Sequence, residues 1–229
     1  MVAAPEEREQ NAPENSLGEK TMSDSRLAGI AAIVFAVLFV AAVVSPGETP
    51  TGDDPDNDFV QYYGDSGNQR TLLASVYLMT VSSLALIVFA TVQFRSGTTL
   101  ASIARAMAYL AAAAFALGQV AVATVGAEAL INDTPIDPGV ARFVPSIGYG
   151  TMLIVGALAA AAMIATISTD WKRNLTMPSW LCWFGYAAAL ILLVGVIFIP
   201  MIVLVLWALA AGIVLLTRKA AGAPGLAAA

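Results

Sequence analysis

The 229-residue chain has no histidine, a single cysteine (Cys182), and charge on only 12% of its residues. Without imidazole it lacks the group that most often ligates metals, serves as a triad base or relays protons near neutral pH. A lone cysteine cannot close an internal disulfide. Carboxylate, hydroxyl and thiol chemistry remain, but no nucleophile stands beside a base and no carboxylates pair at matching depth. The chain therefore reads as non-enzymatic, with no catalytic residue, cofactor or metal site expected. An average soluble domain is about a quarter charged, so the low charge also argues against an ordinary water-soluble globule. A net charge of −5 with scattered basic residues repels nucleic acid, which is excluded as a partner.

Apolar residues make up 59% of the chain and recur in runs of 17 to 26 residues. Each run is long enough to cross a hydrocarbon core of about 30 Å at about 1.5 Å per residue. The expected fold is an all-α integral membrane bundle of six transmembrane helices, at 27–44, 71–94, 106–131, 143–167, 181–199 and 201–217. A polar stretch, 1–26, precedes the first run and cannot bury enough surface to offset chain entropy, so it is expected to be a disordered tail. Residues 220–229 are expected to form a second flexible tail. A signal peptide has a short basic region before its apolar core, and that arrangement is absent, so the first run is read as a retained span.

The loop 45–70 is strongly acidic, with Glu48, Asp53, Asp54, Asp56, Asp58 and Asp65 against Arg70. Within it, Phe59, Val60, Gln61, Tyr62 and Tyr63 predict a short helix with its aromatics at the membrane surface, broken by Gly64 and Gly67. The apolar run 181–217 is too long for one span, and Pro200 near its centre lacks the N–H a helix interior needs. A hairpin at Pro200 is expected, with one long kinked helix as the alternative. Six spans with the N-terminus inside place Arg8, Lys20, Arg26, Arg95, Arg105, Lys172, Arg173, Arg218 and Lys219 in the cytoplasm, and only Arg70 and Arg142 outside. That asymmetry predicts a bacterial plasma-membrane protein with both termini cytoplasmic and the acidic loop outside.

Several patterns invite a functional reading. Asp54, Asp56, Asp58 and Asp65 match positions 1, 3, 5 and 12 of a calcium loop, but Phe59 occupies the position that needs glycine. The pattern favours a solvated acidic loop. Thr80 and Ser83 in the second span and Gln119 in the third share a depth, and form either a polar seam lining a pathway or interhelical hydrogen bonds. Glu128 is the one carboxylate within an apolar span and is a functional candidate on that ground. It also lies near one end of the link to the fourth span while Arg142 lies near the other, so Glu128 and Arg142 are expected to form a structural ion pair. Ser146/Gly150, Gly156/Ala160 and Ala208/Gly212 are small-residue pairs four apart, suited to close helix packing inside the bundle. Trp171, Trp180, Trp183 and Tyr186 read as an interfacial aromatic belt.

The acidic loop leading into Phe59-Val60-Gln61-Tyr62-Tyr63-Gly64-Asp65 and Arg70, with the closing Leu206-Trp207-Ala208-Leu209 and Leu215-Leu216-Thr217-Arg218, resembles a group of uncharacterised Ala-rich actinobacterial membrane proteins that span the bilayer several times. The resemblance implies a six-helix integral membrane protein and no particular activity. The leading expectation is an accessory, sensory or assembly component of the membrane. The alternative is a small channel or transporter using the polar seam of spans two and three. The lipid bilayer is the expected partner, with a membrane-protein partner or a second copy of the chain also open.

Overall fold

A computed structural model describes residues 14–94, 98–193 and 199–218, with the side chains of 14–23 and of residue 199 excepted. Every regular element among them is helical: α1 (Glu14–Val44), α2 (Asp56–Gly64), α3 (Ser66–Gln93), α4 (Thr99–Asn132), α5 (Pro138–Gly150), a π-helical segment (Thr151–Gly156), α6 (Ala157–Arg173), α7 (Ser179–Leu193) and α8 (Ile199–Thr217). The π-helical segment joins α5 to α6, so Pro138–Arg173 runs as one continuous helix. Five helices are long and apolar enough to cross a membrane: α1 from Asp24, α3, α4, Pro138–Arg173 and α8 from Pro200. The chain is an all-α, multi-pass membrane bundle.

The expected span 181–199 is helical over Ser179–Leu193, 15 residues, or about 22 Å of rise. Residues 194–198 lie outside the described residues. The hairpin is nevertheless settled by packing. A Cβ on Gly185 of α7 would stand 3.0 Å from the indole nitrogen of Trp207 on α8. In one continuous helix those residues would be about 33 Å apart, so α7 and α8 fold back on each other and the single kinked helix is excluded. Pro200 falls in the first turn of α8, where a missing N–H leaves no bond unmade.

Helix starts are written locally. Asp65 accepts from the backbone N–H of Asn68 at 2.9 Å, Thr98 from that of Ala101 at 3.2 Å, and Asp137, just before Pro138, from that of Val140 at 2.9 Å. Each satisfies an orphan donor where a helix begins. The helices run past the apolar stretches that define them: α1 begins at Glu14, inside the segment expected to be disordered, and α4 at Thr99 rather than 106. Lengthening an existing helix adds one hydrogen bond per residue without a new nucleus, so polar flanks follow the apolar segment. Residues 1–13 and 219–229, which hold most of the expected tails, lie outside the described residues.

The five long helices and the shorter α7 close a ring. α1 packs on α3 and α8, α3 on α4, α4 on Pro138–Arg173, α6 on α7, and α7 on α8. Close approach comes from small side chains, as a lipid solvent requires. Ala101, Ala104, Ala108, Ala111 and Ala112 of α4 are essentially inaccessible. Gly118 of α4 and Gly148 of α5 meet backbone to backbone: a Cβ on Gly148 would lie 2.4 Å from the Gly118 carbonyl oxygen. Of the small residues that the sequence pattern marks, Gly212 packs on Gly29 and Gly156 on the ring of Phe115, whereas Gly150 has open space around it. The ring centre is bridged by the Phe39 and Phe115 rings, edge to face at 5.1 Å.

The two ends of the ring differ. One carries α2 and the starts of α3 and α5, and with them Arg70 and Arg142; this is termed the cap end. The opposite, base end carries Arg26, Arg105, Lys172, Arg173 and Arg218, as well as the end of α8.

Candidate functional site: an uncharged cavity

A cavity of about 270 Å³ opens within the cap-end half of the ring, lined by Phe39, Val43, Pro46, Gly47, Thr49, Gln119, Tyr149, Met152, Leu153 and Met201. None of these is Asp, Glu, Lys or Arg. The wall formed by Met152 and Leu153 belongs to the π-helical segment, and such bulges are frequent at functional sites because they re-aim side chains within a continuous helix. Pro145, buried in the same helix one turn before Tyr149, removes a further backbone bond.

Gln119, only 3% exposed, is the buried polar group of this cavity. Its amide nitrogen donates to the Ser75 hydroxyl at 2.7 Å, and that hydroxyl donates to the Leu72 carbonyl at 2.6 Å. A serine hydroxyl has one proton. Because Leu72 takes it, Ser75 must accept from Gln119, which fixes the nitrogen toward Ser75 and leaves the Gln119 carbonyl oxygen to serve the cavity. At the mouth the Thr49 and Tyr149 hydroxyls approach at 3.4 Å.

At this end α2 packs on α3, α4 and α5, and buries Phe59, Tyr62 and Tyr63 rather than laying them on a membrane surface. Its last carbonyls are taken by α3: Gln69 donates to the Tyr63 oxygen at 2.8 Å and Asn68 to that of Tyr62 at 3.1 Å. The Tyr62 hydroxyl donates to the Pro46 carbonyl at 2.8 Å, holding the cavity-lining turn that Gly47 completes at φ +71°.

Arg142 ties the acidic loop down. Its guanidinium donates to the Gly52 carbonyl, to the Asp54 carbonyl at 2.9 Å and to the Asp56 carboxylate at 2.7 Å, and lies 4.6 Å from the Phe59 ring centroid. The expected Glu128–Arg142 pair is therefore corrected. Glu128 is exposed and accepts from Asn132 at 2.9 Å and Thr134 at 3.4 Å, while the folded-back loop presents Arg142 with a carboxylate and two carbonyls at once. The aspartates of the calcium-like pattern are dispersed on separate tasks. Asp54 holds the Thr51 backbone at 2.7 Å, Asp56 meets Arg142, and Asp65 caps α3.

The polar seam of Thr80, Ser83 and Gln119 is not assembled. Thr80 is exposed and bonds to Val76 of its own helix at 2.8 Å, whereas Ser83 is buried with a hydroxyl that has no partner among the described residues. Gln119 pairs instead with Ser75, and Ser82 donates to the Phe35 carbonyl of α1 at 2.9 Å. Ser75, Ser82, Tyr149 and Thr49 escape the sequence reading. The available signal is register: Leu72, Ser75, Met79, Ser82 and Leu86 share the three-four spacing of one buried face, and Thr80 does not.

The base-end half is filled by Phe35, Phe89, Trp171 and Trp207, each under 2% exposed. Trp171 stacks on Trp207 at 5.9 Å, which removes it from the expected aromatic belt; Trp180 and Trp183 stay exposed.

The cap carries a pH signature. Burial, reinforced by Tyr149, pushes the Tyr62 hydroxyl up to about 12, and raises that of Tyr63 further. An unfolded tyrosine ionises near 10. The folded cap thus favours the protonated phenol, and the stability this contributes is whole below about pH 10 and is lost as the pH rises toward about 12. The expected result in detergent is cap opening over that window, read as phenolate absorbance together with hydrogen exchange in α2. Tyr62→Phe should weaken the pH dependence, and an unchanged profile would contradict the assignment.

No protein-family model, curated protein or solved structure matches the chain.

Proposed function

We propose that the chain is a non-enzymatic accessory or sensory bundle of a bacterial plasma membrane, with both termini cytoplasmic and the α2 cap outside, that binds a small uncharged molecule in the cap-end cavity. The observation that carries this reading is a cavity walled by apolar side chains around one oriented amide, Gln119, and closed toward the base end by a plug of aromatics. Ligand pockets are concave and mostly apolar with a few placed polar groups. Ions and charged solutes fit poorly, because an unpaired charge in such a site costs several kcal/mol. The orientation is supported by the clustering of basic residues at the base end, which is the cytoplasmic side by the positive-inside rule.

The direct test uses the full chain purified from its own membrane. Extraction of a co-purified neutral compound, identified by native mass spectrometry and lost on Met152→Trp, is the expected outcome. Reproducible flux of ions or polar solutes through proteoliposomes would instead favour the channel or transporter reading. A periplasm-only reporter fused after Thr217 should be silent, and activity there would overturn the orientation.

A further inference from the structure

The cap-end cavity has a neighbour. A wholly apolar groove of about 310 Å³ lies between α1 and α8, lined by Phe39, Val40, Val43, Val44, Met201, Ile202 and Val205. Phe39, Val43 and Met201 line both the groove and the cavity, so the two share walls. Val40, Val44 and Ile202 are 44, 66 and 53% exposed on the bundle exterior, the surface that meets lipid in a membrane protein.

The shape of this helix pair explains the opening. Toward the base end α1 and α8 are locked: a Cβ on Gly29 would meet the Gly212 carbonyl at 3.0 Å, one on Gly212 would meet that of Gly29 at 2.9 Å, and Ser25 donates to the Leu215 carbonyl at 3.4 Å. Toward the cap end the facing residues become Phe39, Val43, Met201 and Val205, and the groove appears between them. The pair is tight at one end and parted at the other, at the depth of the cavity.

We infer that the cavity is loaded sideways from the bilayer, through the α1/α8 groove, by a single-chain neutral amphiphile whose alkyl chain lies in the groove and whose hydroxyl-bearing head bonds to Gln119 and Tyr149. This deepens the proposed ligand-binding function and rests on it. The chemistry follows from the linings. The groove lining offers no polar side chain, so it takes a hydrocarbon chain. The cavity offers an amide carbonyl and two hydroxyls without any Asp, Glu, Lys or Arg, so it takes an uncharged head with a proton to donate. A charged head would be left unpaired there. The lateral route follows from the shared walls: Phe39, Val43 and Met201 face both the lipid-side groove and the cavity, so a chain in the one and a head in the other are held by the same residues.

The experiment uses the full chain in dioleoylphosphatidylcholine vesicles with a long-chain alcohol carrying a photoreactive diazirine, compared with the matching diazirine fatty acid and diazirine phosphatidylcholine. The expected result is saturable labelling of 39–44 and 201–205 by the alcohol, displaced by unlabelled alcohol and absent for the phospholipid probe. The fatty acid, tested above its ionisation range, should label weakly. Val40→Trp and Ile202→Trp change lipid-facing positions and should close the groove without disturbing the core, reducing labelling severely. Tyr149→Phe and Gln119→Leu, each removing one hydrogen bond, should raise the half-saturation concentration by about three- to tenfold; Tyr149→Phe keeps the test open if Gln119→Leu fails to fold. Equal, unsaturable labelling by the phospholipid probe would overturn the proposal in favour of ordinary boundary lipid. Saturable labelling at Tyr149 and Met152 that survives both tryptophan variants would overturn the lateral route while leaving the cavity a ligand site. Absence of saturable labelling anywhere would overturn both.

Discussion

Gly148→Ala should unfold the bundle or leave it barely folded. The added Cβ would stand 2.4 Å from the Gly118 carbonyl oxygen, 2.8 Å from a Val122 methyl and 2.9 Å from the Val122 nitrogen. Two of these are backbone atoms of a long helix, which cannot turn aside as a side-chain tip can. Relief requires moving α4 against α5, and with it the α3/α4 packing and the Gln119–Ser75 bond. Overpacking commonly costs about 1–3 kcal/mol, and a clash with backbone belongs at about 3 kcal/mol or more, a large share of the roughly 5–15 kcal/mol that holds a domain together. The control lies on the same helix. A Cβ on Gly150 would find nothing within 4 Å, so Gly150→Ala should be neutral or stabilise by up to about 1 kcal/mol through helix propensity alone. Thermal unfolding of both variants in detergent, followed by tryptophan fluorescence, checks the contrast. Equal behaviour would mean that the α4/α5 crossing is wrong.

Arg142→Ala should release the cap while leaving the spans intact. Three hydrogen bonds and a ring contact are lost together. The ion pair alone is worth little, because the side chains of Arg142 and Asp56 are 34% and 71% exposed and water screens them. The carbonyl bonds and the Phe59 contact matter more, since they fold the loop back over α2. Taken together, about 1–3 kcal/mol of local stability should go, which is a roughly ten- to hundredfold loss of amide protection across 48–64. Hydrogen exchange by mass spectrometry reads this segment separately from the spans. Arg142→Lys should restore little, because one ammonium cannot reach carbonyls and carboxylate as a planar guanidinium does. Glu128→Gln should leave the cap unchanged. A cap disturbed by Glu128→Gln but indifferent to Arg142→Ala would restore the ion pair expected from the sequence.

Glu128 and Arg142 are close along the chain and at the same end of the bundle, and proximity of that kind is readable from a sequence. What Arg142 binds is decided by a loop some 86 residues away from it, returning over the ring to bring Asp56 within 2.7 Å. The same limit applies to the polar seam. In a soluble helix the apolar stripe shows which side is buried, but a membrane helix is apolar toward lipid and toward its neighbours alike. Thr80 and Ser83 look equivalent by depth, and only packing against α1 and α4 separates the exposed one from the buried one. Trp171 sits among interfacial aromatics in sequence and is instead buried against Trp207.

By itself the sequence determined that the chain is an all-α membrane bundle, where most of its helices lie, that its basic residues gather toward one end, and that histidine-based chemistry is closed to it. These are properties of composition, run length and local capping, which depend on each segment's own exchange with lipid and water. The tertiary structure alone decided that the helices close a ring, that Gly118 and Gly148 touch, and that Gln119 is oriented by Ser75 at the wall of an uncharged cavity. Those features depend on contacts between residues dozens of positions apart, and in a membrane such contacts are chosen by the fit of small side chains and the pairing of a few buried polar groups, neither of which leaves a periodic mark on the chain.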